Sequence, residues 1–192
     1  MIAIITNVTC PCGCCGEIIG IYLRKHYEGG FRIEKDRVIF DNDPPLEMFE
    51  IVNAELRFKG HQLLTGIDAV YVELIQDALK EMLKSVENRD VLKLTPKEEI
   101  KNIQQLVLEK TGRAYDGMEK FYKKKMNMSI LHSYIVIKVE RLQQLIIEEM
   151  EEWDIMIRLN YCNKSYMEKQ FRDVTGKKLK EFILEIKFQK NH

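Results

Sequence analysis

The hydrophobic periodicity of the chain changes once, at Gly66, and that change constrains the fold more than any other feature. Before Gly66, short β-branched runs alternate with helical stretches. After it, every apolar pattern repeats at the three-to-four-residue spacing of a helix. Ile2–Val8 suits a buried strand, and Glu17–Tyr27 sets Ile18, Ile19, Tyr22 and Leu23 at helical spacing before Glu28-Gly-Gly closes the turn. Phe31–Glu34 and Arg37–Asp41 flank Lys35-Asp36 as a hairpin. Pro44-Pro45 then opens a helix to about Arg57, with Leu46, Phe49, Ile51, Val52 and Leu56 mostly on one face. His61–Leu64 is a last strand.

The second stretch predicts helices at Ala69–Leu83, Thr95 to about Lys110, Arg113–Met126, Ser129–Glu148, Glu151–Leu159, Asn163–Val174 and Lys178–Ile186. Thr95 is an N-cap, with Pro96 at the first helical position and Glu98 completing a capping box. The expected fold class is therefore α+β. A ferredoxin-like βαββαβ domain over residues 1–66 precedes an all-α domain of about seven helices over 67–192. The stripe of Val70, Val72, Leu74, Ile75, Ala78, Leu79, Met82 and Leu83 suits either burial within that domain or a homodimer contact.

With 45% hydrophobic residues and only 4 Pro and 10 Gly, the 192 residues have material for a core. Lys and Arg number 30, as do Asp and Glu, which excludes a uniformly basic coat for nucleic acid or a polybasic membrane anchor. Divided along the chain, the balance is uneven. Residues 1–66 carry 7 basic and 9 acidic groups, residues 161–192 carry 8 and 4, and Arg113–Lys125 carries 5 and 2. The opening MIAIITNV lacks a charged leader and no apolar run approaches about 18 residues, so the expectation is a cytoplasmic protein with no membrane partner.

Four of the five cysteines crowd into Cys10-Pro-Cys12-Gly-Cys14-Cys15, directly before a helix. Two thiolates at this spacing, one in a loop and one at a helix N-terminus, can converge on one ion, and soft sulfur favours Cu(I) or Zn(II). Adjacent Cys14 and Cys15 do not both turn inward easily, so two or three ligands are expected. Small residues in a tight turn, a remnant of a lost site, and redox exchange remain alternatives.

The order of strand, Cys-x-x-Cys loop, helix, hairpin, helix and strand resembles the heavy-metal-associated domain of copper chaperones and metal-transport ATPases over about 65 residues. That resemblance implies metal binding at Cys12 and Cys15, with Cys10 and Cys14 as additional thiols. No Met stands where the family motif has one.

The stretch Arg158–Gly176 resembles the closing signature of the AraC/XylS transcription regulators. The matching residues are Leu159, Tyr161, the small turn at 162–165, Met167, Phe171-Arg172 and Val174-Thr175-Gly176, with Phe182 beyond. Ile135–Leu145 is similar to that family's linker helix, and Gly117-Met118-x-x-x-Tyr122 falls on the recognition helix of its first unit. The resemblance covers about 120 residues and implies two helix-turn-helix units in the helical domain and double-stranded DNA as a partner. It also implies outward residues Asn163, Lys164, Ser165, Lys169 and Arg172 on the second recognition helix, with Lys177 and Lys178 toward the backbone. Lys120, Lys123 and Lys124 are the counterparts in the first unit. Tyr166, Met167 and Phe171 are read as core.

There are departures from the family pattern. Met156 stands where the family has Ala, no Pro lies near Leu179, Gly117 is expected mid-helix, and Asp116 and Glu119 bring negative charge to the first unit. The four histidines have no ligand spacing, Trp153 is expected to pack or to belong to the turn between helices, and no phosphate loop, nucleophile elbow or paired-carboxylate motif points to an enzyme. The expected function is an AraC-type regulator whose Cys-rich domain senses a soft ion or redox state. The rival is a metal-binding or interaction protein on the same scaffold with degenerate or lost DNA binding.

Overall fold

The computed structural model describes residues 1–5, 14–34, 37–59, 61–88 and 94–190, with Cys14 and Lys190 described by backbone alone. In chain order these form β1 (Ile2–Ile5), α1 (Cys14–His26), β2 (Phe31–Glu34), β3 (Arg37–Phe40), α2 (Leu46–Arg57) and β4 (Leu63–Leu64). There follow α3 (Gly66–Glu87), α4 (Pro96–Thr111), α5 (Tyr115–Met126), α6 (Ile130–Ile147), α7 (Glu152–Arg158), α8 (Lys164–Thr175) and α9 (Leu179–Lys190). The fold is mixed and mostly helical, with nine helices and one four-stranded antiparallel sheet among the described residues. Two compact units divide it: Met1–Leu74 with Lys120–Asn127, and Ile75–Glu119 with Met128–His192.

In the first unit the strand order is β2-β3-β1-β4, every neighbouring pair antiparallel. Ala3 lies opposite Val38 and Ile5 opposite Leu63. Because strand side chains alternate, Ala3, Ile5, Val38, Phe40 and Leu63 share one face. They form a core with Ile19 and Leu23 of α1 and with Met48, Phe49, Val52 and Leu56 of α2. Phe40 stands edge-on to Phe49 at 5.6 Å and to Tyr27 at 5.4 Å. The buried stripe of α2 runs through Met48, Val52 and Leu56, four residues apart. Leu46 and Ile51 fall off that line and are exposed, contrary to the face read from the sequence.

The second unit is held by α6, whose Ile130, Val139, Leu142 and Leu145 are wholly buried and which packs on α7 and α8. Thr95 caps α4 with the full capping box, and Gly112 ends that helix in the left-handed conformation at φ 64°. Glu87 of α3 accepts hydrogen bonds from Arg141 Nε of α6 at 2.8 Å and from Arg158 Nε of α7 at 3.2 Å, tying three helices through one carboxylate. That contact holds the Arg141 guanidinium above its usual pKa. Met156 is accommodated in the interior. Trp153, expected to pack, is exposed, because the short α7 spends its inward positions on Ile155 and Met156. Among the described residues, no helix is long and apolar enough to cross a membrane.

Candidate nucleic-acid interface

The chain between α7 and α8 turns within five residues. Leu159 closes α7 and Asn160 takes a left-handed conformation at φ 55°, which asparagine tolerates better than most residues. The Asn160 amide donates to the Leu94 carbonyl at 3.0 Å, anchoring the turn to the start of α4. Tyr161 is fully buried, with its ring 6.4 Å from that of Tyr166. Asn163 then caps α8, its side-chain oxygen accepting the Tyr166 N–H at 2.8 Å.

Along α8 the spacing separates two faces. Met167, Gln170 and Phe171 turn inward, while Ser165, Lys169 and Arg172, at intervals of four and three, lie together outside. Gly176 ends the helix at φ 72°, a left-handed conformation that glycine adopts without strain. The chain then reverses into α9, where Leu179 is buried and Phe182 lies 5.5 Å from Phe171. This reversal creates a hollow of about 320 Å³ lined by Ser165, Glu168, Lys169, Arg172, Lys178, Leu179 and Lys180.

Four of the residues expected to contact DNA therefore share one surface: Ser165, Lys169, Arg172 and Lys178. Lys180 joins them, a residue the sequence reading missed. The run Lys177-Lys178-x-Lys180 was the available signal, but it became meaningful only once Gly176 turned α9 back toward α8. Among the described residues, Lys169, Arg172 and Lys180 have no carboxylate partner, while Lys178 has Glu181 at 3.7 Å.

The remaining expected residues are occupied otherwise. Asn163 uses its acceptor as the helix cap. Lys164 pairs with Glu152 at 2.5 Å, a hydrogen bond that raises its pKa, and Lys177 pairs with Glu185 at 2.9 Å. Tyr166, read as core, is 42% exposed; Met167 and Phe171 are buried as expected. Lys120, Lys123 and Lys124 are exposed on the part of α5 that belongs to the first unit, where Lys125 pairs with Asp68 and Phe121 meets Tyr71 edge-on at 5.8 Å. Gly117 is the third residue of α5 and so lies in its first turn, not mid-helix. Glu119, read as a repulsive charge, accepts the Ile130 N–H at 3.0 Å and the Tyr115 hydroxyl at 3.4 Å.

Of the four thiols, Cys10 and Cys12 lie outside the described residues. Cys14 begins α1, and Cys15 is buried in its first turn. Among the described residues no group of three or more His, Cys, Asp or Glu side chains is placed to hold a metal ion.

Inside the second unit, against the other side of α8, sits a buried polar network. Lys138 is 4% exposed, and its ammonium donates to Glu99 Oε1 at 3.0 Å. The Tyr134 hydroxyl donates to the same oxygen at 2.7 Å. The ammonium also lies 4.7 Å from the Tyr161 ring centroid. Burial lowers the pKa of Lys138, with Glu99 opposing, whereas burial and then Glu99 raise that of Tyr134. The chain matches no protein-family model, no curated protein and no solved structure.

Proposed function

We propose that the second unit binds double-stranded DNA in the manner of the AraC/XylS regulators, with α7, its turn and α8 as a helix-turn-helix and α8 entering the major groove. The observation that carries this reading is the cationic surface formed by Lys169, Arg172 and Lys180, three charges with no carboxylate partner among the described residues, gathered beside the outward face of α8. Such a cluster suits phosphate and base-edge oxygens. Lys164 and Lys177, already engaged by carboxylates, contribute less.

The strand order and the β-α-β-β-α-β succession support a ferredoxin-like N-terminal domain. On that reading, Cys15 at the head of α1 supplies one sulfur ligand for Cu(I) or Zn(II). Cys12, with Cys10 and Cys14 in reserve, would complete the set. Sulfur chemistry suits a soft ion of this kind. The rival reading, in which DNA contact is lost, draws support from Glu168 within the hollow and from the ion pairs that occupy Lys164 and Lys177.

Selection from a pool of duplexes with a randomised centre, read by electrophoretic shift at low salt, tests the proposal. Wild type is expected to retain a sequence subset, and the triple variant Lys169→Ala, Arg172→Ala, Lys180→Ala to lose about a hundredfold or more in affinity, at about 1 kcal/mol or more for each contact removed. Absence of any shift, or equal binding by the triple variant, leaves the rival reading standing.

A further inference from the structure

Behind α8 lies a cavity of about 490 Å³, within the range of roughly 300–1,000 Å³ typical of small-molecule sites. Its walls are apolar, drawn chiefly from Ile100 and Ile103 of α4 and Leu131 and Ile135 of α6. Its polar groups are nearly all spent. Lys138 and Glu99 neutralise each other, Tyr134 donates to Glu99, and the Asn160 amide is taken by Leu94. Gln170 is different. It lines the cavity at only 8% exposure, its amide nitrogen donates to the Tyr166 hydroxyl at 2.8 Å, and its Oε1 is buried with no hydrogen-bond donor among the described residues.

An unpaired buried carbonyl oxygen costs free energy that a donor entering the cavity would recover. A charged ligand gains nothing here, because among the described residues the one ammonium and the one carboxylate that line the cavity already pair with each other, and a further buried charge would lack a counter-ion. We propose that this cavity binds a neutral, largely apolar small molecule, with its body against Ile100, Ile103, Leu131 and Ile135 and one N–H or O–H donated to Gln170 Oε1. The site does not depend on the DNA reading. If both hold, the ligand would bear on the recognition helix itself, because Tyr166 and Gln170 belong to α8.

The test uses the full chain and N-phenyl-1-naphthylamine, a neutral aromatic with a single N–H whose fluorescence rises on leaving water. Titration is expected to saturate at one probe per chain. The N-methylated analogue, which has no donor, is expected to bind about tenfold more weakly, as is the parent probe to Gln170→Leu. Leu131→Trp, which fills the cavity, is expected to abolish binding while far-UV circular dichroism stays native. Failure to saturate, equal affinity for the two probes, or undiminished binding by a folded Leu131→Trp overturns the proposal. The probe comparison on wild type decides the matter even if Leu131→Trp does not fold.

Discussion

Asn53 shows how one side chain can finish a sheet. β4 is only two residues long and lies at the edge, beside β1. From α2, the Asn53 amide donates to the Leu63 carbonyl at 3.0 Å, and its oxygen accepts the Leu63 N–H at 2.7 Å. A single carboxamide thus mimics the peptide of a fifth strand and blunts the edge against pairing with another chain. Replacing Asn53 with Ala leaves both backbone groups of a buried residue without partners. Stability is expected to fall by about 1–3 kcal/mol, read as a lower urea midpoint at unchanged slope. A loss under roughly 0.5 kcal/mol would mean that water replaces the amide at little cost, and β4 would then owe its place to Leu63 and Leu64 packing alone.

Among the helices, α5 carries an avoidable weakness. Gly117 lies in its first turn with an ordinary negative φ, and a Cβ built there would meet nothing within 4 Å. Gly117→Ala is therefore expected to stabilise the protein by about 0.5–1 kcal/mol, raising the melting midpoint by roughly 1–4 °C. A lower midpoint would contradict the helical geometry at that residue. Local features such as the Thr95 capping box and the inward Met167 and Phe171 were legible in the sequence because each depends on residues within one turn. Features that depend on distant partners were not. Glu119 looked like misplaced charge until Ile130 arrived beside it. Tyr166 looked like core because aromatic residues in a helix usually are, yet it borders a cavity. That cavity is assembled from α4, α6, α8 and the turn before α8, segments spread from Leu94 to Gln170, so no window of sequence contains it.

At the scale of the whole molecule, the balance of 30 positive and 30 negative charges sets how DNA binding must behave if it occurs. A strongly basic protein releases many counter-ions on binding, and its affinity collapses with salt. This chain has no such excess, and many of its cations are already paired within the fold, including Lys110 with Glu81, Lys138 with Glu99 and Lys177 with Glu185. Among the described residues, the cations beside α8 without a carboxylate partner are Lys169, Arg172 and Lys180. If each neutralises one phosphate, log affinity should fall against log salt with a slope of about −2.7, using roughly 0.9 per phosphate. Each single Ala substitution among the three should make that slope shallower by about 0.9, whereas Lys164→Ala should leave it nearly unchanged because Glu152 already holds that ammonium. Fluorescence anisotropy with a labelled duplex over a salt series measures both. A wild-type slope steeper than about −3.6, the value for four phosphates once Lys178 is included, would require cations beyond this surface, with Lys120, Lys123 and Lys124 of α5 the next to substitute.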